Sequence, residues 1–486
     1  MARSALEGRP GVVLLVIAVL GCALGLLQGL RSGPLWLDEA LSVEIARLPL
    51  AQLPDALRQD GAPPLYYLLL HAWIAMLGEG TTTVRLLSVL LVPVALALAH
   101  RVGGRAGGRA GARAAVIVLA ALPWTMRFGA ETRMYLLVVV LVLAAALALG
   151  AVHHTGSRRS VVALAACAAA LVLTHYWALF LLTVVGVLHL PALVRRRPGA
   201  VRVVTGLALG AVAFLPWVPI LLFQTAHTGA PWADPVTAVE LLRTLRYWGG
   251  GGAGPRTVLG LLLVVLAIVA AVRRPLARAC GAVVVLTLAV AWTSVALGGG
   301  AYTGRYTAVV VPLVALLAGA GAVALGGRWR PVVALAAVTA VGLLSGIPAA
   351  GQARSSTAGV VAALRSAATP GDLVVYCPDQ LGPPVARELG PGFDQVVYPT
   401  LGAPQRIDWV DYRARQLRAD PAAIASQIAA RGAGRDVFVL AAREYRTLEG
   451  HCEALLASLE QDRGPAEPLF GEVGSTGQVL FRFPLR

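Results

Sequence analysis

Long apolar runs separated by short basic links make up most of the first 350 residues of the chain. A run of roughly 18 or more apolar residues is long enough to cross the hydrocarbon core of a bilayer as a helix. The alternation therefore predicts an α-helical polytopic membrane protein with about 11 transmembrane helices. The predicted spans are residues 11–30, 84–98, 114–126, 135–152, 161–174, 177–194, 203–222, 258–272, 279–297, 306–325 and 331–347.

One further apolar segment, residues 65–77, is too short to cross a bilayer. A helix rises about 1.5 Å per residue, whereas the hydrocarbon core is about 30 Å thick. The segment follows Pro63-Pro64, and proline is favoured at the start of a helix. We therefore predict a re-entrant or juxtamembrane helix here.

The pattern changes near residue 351, where charged residues become common and short β-rich runs alternate with helical stretches. This alternation predicts a small α/β domain with a largely parallel sheet. Cys377 and Cys452 lie in this part of the chain and could pair if it is extracytoplasmic; the sequence leaves the pairing open. The predicted domains are residues 1–350, which span the membrane, and 351–486, which form the α/β domain.

Composition excludes a soluble multi-domain enzyme. The chain is 57% hydrophobic and only 14% charged, whereas soluble domains carry about a quarter charged residues. A net charge of +16 can indicate nucleic-acid binding. Here, however, the arginines cluster in links such as residues 101–113 and 195–202, and there is no lysine. We therefore predict contacts with membrane lipids and no nucleic-acid partner.

The basic links also predict an orientation, because cytoplasmic loops carry the excess of arginine. The links and the N-terminus are then inside, and the α/β domain is extracytoplasmic. The first apolar run is too long for a signal-peptide core, and no small-residue cleavage site follows it. We predict a multi-pass plasma-membrane protein whose remaining polar residues gather on the outer face.

Asp38 and Glu39 lie in the polar stretch directly after the first span, and Asp60 follows in the same predicted external loop. Ionisable residues are costly to hold at membrane depth, so their presence there indicates a functional site. The alternative is structural, because aspartate is a common N-cap residue and could cap a helix beginning at Ala40. A carboxylate at this place could also deprotonate an acceptor hydroxyl.

Arg133 and Arg305 lie at predicted outer helix ends, against the orientation rule. Guanidinium groups there suit a phosphate partner, although they could also reach toward lipid headgroups. Transfer of a sugar from a lipid phosphate needs such cations and a base but no strong general acid, because the leaving phosphate is already a stable anion. Tyr176, Trp177 and Trp232 also suit an aromatic belt at the interface.

Several motifs resemble the GT-C glycosyltransferases, and within them the branch of protein O-mannosyltransferases and aminoarabinose transferases. They are Trp36-x-Asp38-Glu39-x-x-Ser42, Pro63-Pro64-Leu65-Tyr66-Tyr67 followed by Trp73 and Arg85, Glu131-Thr132-Arg133-Met134-Tyr135, Thr174-His175-Tyr176 and Gly304-Arg305-Tyr306. Ala62 is a departure, since relatives often have histidine or lysine there. The resemblance covers about the first 350 residues.

The resemblance implies an inverting, single-displacement transfer of a monosaccharide, mannose or similar, from a polyprenyl-phosphate donor. The acceptor would be a hydroxyl of a lipid, glycan or protein. Asp38 would be the base, and Glu39 would orient the acceptor or assist a divalent cation (Mg or Mn), which some relatives use. The implied donor-phosphate residues are Arg133, Arg305, Tyr135 and Tyr306, and the implied acceptor or accessory residues are Asp60, Glu131, His175 and Tyr176.

The sequence leaves two other classes of function open. A transporter or flippase of lipid-linked sugars should show internal repeats and polar residues near the bilayer midplane; the charged residues here concentrate at predicted helix ends. A scaffold that binds a partner through its α/β domain would tolerate loss of Asp38 and Glu39.

Overall fold

The computed structural model describes residues 4–230, 233, 235–250, 254–442, 448–472 and 477–485. Trp232, a predicted belt residue, lies outside the described residues. The helices up to residue 350 are α1 (Arg9–Leu30), α2 (Leu37–Ala46), α3 (Leu53–Asp60), α4 (Leu65–Leu77), α5 (Thr81–Ala121), α6 (Pro123–Gly129), α7 (Tyr135–Thr155), α8 (Arg158–Val172), α9 (Trp177–Val194), α10 (Pro198–Phe214), α11 (Val218–His227), α12 (Ala238–Trp248), α13 (Pro255–Arg273), α14 (Pro275–Gly298), α15 (Val311–Ala324) and α16 (Arg330–Ala350). The elements that follow are α17 (Thr357–Ala367), β1 (Leu373–Cys377), α18 (Gly382–Leu389), β2 (Asp394–Val397), α19 (Tyr412–Leu417), α20 (Pro421–Arg431), β3 (Val437–Ala442), α21 (His451–Arg463), β4 (Glu467–Phe470) and β5 (Gln478–Phe483).

The chain forms two compact units that are not continuous in sequence. The membrane unit comprises Met1–Ser32, Ala62–Pro219 and Pro235–Gln352. The α/β unit comprises Gly33–Gly61, Ile220–Asp234 and Ala353–Arg486. A division at residue 350 therefore leaves out two earlier segments that pack with the C-terminal residues.

The membrane unit is a bundle of apolar helices, and the prediction of a polytopic helical membrane protein is confirmed. Among the described residues, eight helices are long and apolar enough to cross a membrane, and α4 and α15 are shorter apolar helices. The predicted bounds of α4 and α9 match the observed ones. The number of about 11 spans stays a prediction.

α5 contains the predicted span 84–98 and the first part of the predicted span 114–126, joined by a sharp turn. Its backbone leaves helical geometry at Gly107 and Gly108, where Gly108 has a φ of 60°, a conformation that favours glycine. The two arms fold back on each other, so that a Cβ atom on Gly103 would collide with the Gly111 carbonyl. The small residues thus permit close backbone packing within the hairpin.

The arginine-rich links lie at one end of the bundle. α7 ends beside Arg158, and α9 ends beside Arg195. In the hairpin of α5, Arg113 Nη1 donates hydrogen bonds to the backbone carbonyls of Leu6, at 2.7 Å, and Gly8, at 3.1 Å. The residues that begin α7 and α9 are consequently at the opposite end of these helices.

The α/β unit is built on a five-stranded sheet in the order β2-β1-β3-β5-β4. β1 pairs in parallel with β2 and β3, whereas β5 pairs antiparallel with β3 and β4. The expectation of a largely parallel sheet is therefore wrong for the last two strands. The link from β4 to β5 is too short for a crossover helix, and a short link requires an antiparallel pair.

Both faces of the sheet are covered by apolar side chains. One face packs against α20 and α21, and the other packs against α17 and α18. A disulfide joins Cys377, at the end of β1, to Cys452 in α21. The bond ties a central strand to the helix layer that covers it.

The α/β unit also holds the segment that carries the acidic pair. α2 packs against α18, where the half-buried Arg387 donates to Glu44 at 3.3 Å. The backbone N–H of Trp409 donates to the Gln59 carbonyl at 3.2 Å. These contacts fix α2 and α3 to the C-terminal residues.

Candidate functional site

Three of the predicted site segments meet at one end of the membrane unit. Arg133 lies two residues before α7, His175 lies in the turn between α8 and α9, and Arg305 lies in a 3-10 turn before α15. Arg133 and Arg305 are half-buried, and His175 is 5% exposed. These polar residues lie at the same end of the bundle because each is followed within a few residues by an apolar helix.

His175 is held in the neutral state with one nitrogen assigned as acceptor. The backbone N–H of Trp177 donates to His175 Nδ1 at 3.2 Å, which assigns the proton of the neutral ring to Nε2. Burial, and then the cations Arg133 and Arg305, lower the pKa of His175 to about 3. The imidazole therefore offers an N–H donor at neutral pH and carries no charge.

Aromatic rings surround this histidine. The His175 ring lies 5.1 Å from Tyr306 and 6.1 Å from Tyr135, measured between ring centroids. Tyr135 in turn contacts Phe128 at 4.9 Å, and Tyr306 contacts Trp177 at 5.8 Å. These rings restrict the histidine to one orientation.

The turn before α7 is anchored from a neighbouring helix. Ser88 on α5 donates through its hydroxyl to the Glu131 carbonyl at 2.6 Å, and the same carbonyl accepts from the Arg133 N–H at 2.7 Å. Glu131 itself is fully buried. The carbonyl contacts fix the backbone that presents Arg133 and Tyr135.

The sequence motifs give Arg85 no role of its own. In the structure its side chain is fully buried, one turn before Ser88 on α5. Its Nη1 lies 3.5 Å from the Gly29 carbonyl. A buried guanidinium is costly unless it is paired. An arginine inside an otherwise apolar helix was the available signal, and it marks Arg85 as part of the same region.

Gly304 allows the turn that carries Arg305 to pack closely. A Cβ atom at this position would collide with the ring of Tyr247 on α12. Nearby, Thr307 donates to the Gly304 carbonyl at 2.6 Å and accepts from Trp248 Nε1 at 3.0 Å. The Gly-Arg-Tyr motif is therefore a packed turn, and its glycine has a steric reason.

The acidic pair lies in the α/β unit, in the first turn of α2. The N-cap residue is Trp36, so the structural alternative in which Asp38 caps a helix from Ala40 is wrong. Glu39 is fully buried, and its Oε2 accepts from the Trp36 N–H at 3.4 Å. Asp38 is half-buried. Both carboxylates are favoured electrostatically by the helix N-terminus.

The two remaining predicted residues have local surroundings that can be described. Asp60 ends α3, directly before Gly61, which has a φ of 84°. The hydroxyl of Tyr176 accepts from Trp217 Nε1 at 2.9 Å. Tyr176 therefore anchors the turn that contains His175.

The predicted divalent cation would need acidic or histidine side chains as ligands. Within the described part of the chain there is no group of three or more His, Cys, Asp or Glu side chains arranged to hold a metal ion. Asp38 and Glu39 are neighbours, but Glu39 is turned toward the backbone of its own helix. The Mg or Mn ion stays a prediction.

The structure thus brings together Arg133, Tyr135, His175, Arg305 and Tyr306 in the membrane unit. Asp38, Glu39 and Asp60 all belong to the α/β unit. The first group offers cations and a neutral donor to an anion, and the second offers carboxylates.

Solved structures of two kinds share this fold. ArnT from Cupriavidus metallidurans in the apo state matches with a TM-score of 0.61 and 14% identity, and ArnT bound to undecaprenyl phosphate matches with 0.57 and 13%; each match covers 97% of both chains. An Archaeoglobus fulgidus oligosaccharyltransferase in the apo form matches with 0.52 and 11%, over 94% of this chain and 72% of the other.

No protein-family model and no curated protein matches the sequence. The similarity to ArnT, an aminoarabinose transferase, extends over both units of the chain. The predicted resemblance is therefore confirmed at the level of the fold: the chain is a multi-pass membrane protein with the GT-C fold and a small C-terminal α/β unit.

Proposed function

We propose that the protein is a glycosyltransferase that moves a monosaccharide, mannose or similar, from a polyprenyl-phosphate donor to a hydroxyl acceptor. The observation that carries the proposal is the group of half-buried Arg133 and Arg305 around a neutral His175, at the end of an apolar helix bundle. Such a group suits a phosphate whose lipid tail lies in the bilayer. The shared fold with ArnT bound to undecaprenyl phosphate supports the same donor class.

In the proposed reaction, Asp38 accepts the proton of the acceptor hydroxyl as its oxygen attacks the anomeric carbon of the sugar. The bond from that carbon to the phosphate oxygen breaks, and the polyprenyl phosphate leaves with the electron pair. Attack opposite the leaving group inverts the anomeric configuration. Arg133 and Arg305 stabilise the charge that develops on the phosphate.

The structure supports Asp38 over Glu39 as the base. The Glu39 carboxylate accepts from the Trp36 backbone N–H and is fully buried, whereas Asp38 in the same helical turn is half-buried. A base must reach the hydroxyl proton within hydrogen-bond distance. Glu39 would then hold the start of α2 in place.

We further propose that the site and the α/β unit face the cell exterior across the plasma membrane. The arginine-rich links lie at the helix ends opposite Tyr135 and Trp177, and such links are typically cytoplasmic. The disulfide between Cys377 and Cys452 also suits an oxidising compartment.

The experiment is transfer from radiolabelled polyprenyl-phosphate sugars by purified wild-type protein and the variant Asp38→Asn. Loss of a general base lowers rates by about 10²–10⁴-fold, so we expect at least a hundredfold loss with donor binding retained. Asp55→Asn is the matched control, because Asp55 is an exposed aspartate in the same segment. Full transfer by Asp38→Asn would contradict the assignment.

A further inference from the structure

His175 has one ring nitrogen engaged and the other available. Nδ1 accepts from the Trp177 N–H at 3.2 Å, and among the described residues no hydrogen-bond partner of Nε2 is found. The side chain is 5% exposed. An N–H without a protein partner is available to a ligand, and this one lies within electrostatic reach of Arg133 and Arg305.

The surroundings indicate what the donor is for. Arg133 and Arg305 both act on the His175 ring electrostatically, and the rings of Tyr135 and Tyr306 contact it. A ligand that approaches Nε2 therefore meets an N–H donor within electrostatic reach of two guanidinium groups. An oxygen of an anion satisfies both features.

We propose that His175 Nε2–H donates a hydrogen bond to a phosphate oxygen of the lipid-linked donor, between Arg133 and Arg305. The inference rests on the proposed function and deepens it by adding an uncharged binding residue to the two cations. It also assigns His175 a role other than proton acceptor, because the nitrogen that carries the lone pair already binds the Trp177 N–H.

A neutral donor at this position has a physical advantage over a third cation. The phosphate must leave with the electron pair of the broken bond and must then be released as polyprenyl phosphate. A fixed N–H directs one phosphate oxygen without adding positive charge that would hold the product. The aromatic contacts of His175 supply the fixed direction.

Two substitutions separate the ligand contact from the local turn. His175→Asn places an amide oxygen near the Nδ1 position, where it can accept from the backbone N–H two residues on, as asparagine does in turns; it lacks a donor at the Nε2 position. His175→Gln places an amide N–H near Nε2 and lacks the local acceptor.

The measurement is binding of undecaprenyl phosphate to the full-length protein in lipid nanodiscs, with donor KM and kcat where transfer is detected. We expect His175→Asn to weaken binding about tenfold to a hundredfold, as loss of a hydrogen bond to a charged group does, with unchanged thermal stability. His175→Gln should stay within about threefold of wild type. The reverse order of the two variants would show that the turn, and not the phosphate, needs the histidine.

Wild-type protein provides a second test that does not depend on a variant folding. In a cryo-EM structure with undecaprenyl phosphate bound, Nε2 should lie about 2.7–3.2 Å from a phosphate oxygen. A phosphate bound by the two arginines but more than about 4 Å from Nε2 would overturn this proposal and leave the proposed function standing. Wild-type protein that binds no polyprenyl phosphate would overturn both.

Discussion

His175 in the membrane unit and Asp379 in the α/β unit are both buried titratable side chains, and their neighbours act on them in opposite directions. Burial is the main cause of the pKa shift in each, and in each it favours the neutral form. At His175 the nearby cations add to that shift. At Asp379 the neighbours oppose it: the Tyr412 hydroxyl donates to Oδ1 at 2.5 Å, and Arg415 is close.

Under the proposed function, His175 is placed to bind a ligand, whereas Asp379 is placed to stabilise the fold. Around Asp379, Tyr412 also accepts from Gln380 Nε2 at 2.7 Å, so the carboxylate is enclosed by partners from its own unit. Around His175, Arg133 and Arg305 both lower the pKa, so the neighbouring charges act in the same direction as burial. The comparison predicts that substitutions around His175 change ligand binding, whereas substitutions around Asp379 change the stability of the α/β unit.

The largest effect is expected at the two arginines. Truncating one partner of a hydrogen-bonded charge pair typically costs about 2–5 kcal/mol, so Arg133→Gln or Arg305→Gln should weaken binding of undecaprenyl phosphate at least about 30-fold. Arg133→Lys and Arg305→Lys are the matched controls; they keep the charge but lose the planar fork, and should recover part of the binding. Binding isotherms of the four variants test this. Wild-type affinity in either glutamine variant would remove that arginine from the donor site.

The second prediction concerns the disulfide in the α/β unit. Removal of a native disulfide typically costs about 2–5 kcal/mol, and Cys377 and Cys452 are both buried in the core on one face of the sheet. The pair of substitutions Cys377→Ser and Cys452→Ser should lower the melting temperature of the α/β unit while binding of undecaprenyl phosphate stays within a few-fold. If the double substitution also weakened binding of undecaprenyl phosphate strongly, donor binding would not be confined to the membrane unit.

Much of the fold could be predicted from the sequence because its signals are local. The bounds of α4 and α9 follow from the length of an apolar run and from a proline pair. The packing of Gly33–Gly61 with the C-terminal residues could not be predicted, since it depends on contacts such as Glu44 with Arg387. Hydropathy reports what a segment buries and says nothing about which distant segment covers it.

Some features of the candidate site could likewise be predicted from the sequence, and others could not. Arg133, His175 and Arg305 could be selected because polar residues at the ends of apolar runs are few. The state of His175 could not, because it depends on a backbone N–H two residues away and on charges more than 40 and more than 100 residues distant. The steric need for Gly304 depends likewise on the ring of Tyr247.

The third prediction is a pH dependence at Asp379. Burial raises its pKa from 3.8 to about 6, so the folded state binds the extra proton between these values. Stability from this group is therefore present below about pH 4 and is lost as the pH rises through 6. A shift of about two units corresponds to at most about 3 kcal/mol.

Asp379→Asn removes the buried charge and keeps an oxygen that can accept from Tyr412. It should raise the melting temperature of the α/β unit at pH 7.5 and have little effect at pH 4. Tyr412→Phe is the control, because it removes the donor and should destabilise the unit most where Asp379 is charged. Thermal unfolding from pH 4 to 8 gives the comparison. A constant effect of Asp379→Asn over that range would show that charge burial is not its cause.

The smallest effects are expected at two buried serines that make the same contact in different units. Ser88 donates to the Glu131 carbonyl at 2.6 Å, and Ser42 donates to the Asp38 carbonyl at 2.7 Å. Each hydrogen bond contributes about 1 kcal/mol. Because the Ser88 contact holds the turn that presents Arg133, Ser88→Ala should raise the donor KM a few-fold with little change in kcat.

Ser42→Ala should do the opposite, because its contact holds the turn of α2 that carries the proposed base. It should lower kcat a few-fold and leave binding of undecaprenyl phosphate unchanged. Steady-state transfer assays with both variants compare the two regions directly. The substitutions are matched, since each removes one hydroxyl from a fully buried site. If both serines altered KM alone, the carboxylate helix would belong to substrate binding, and the base would have to be sought elsewhere.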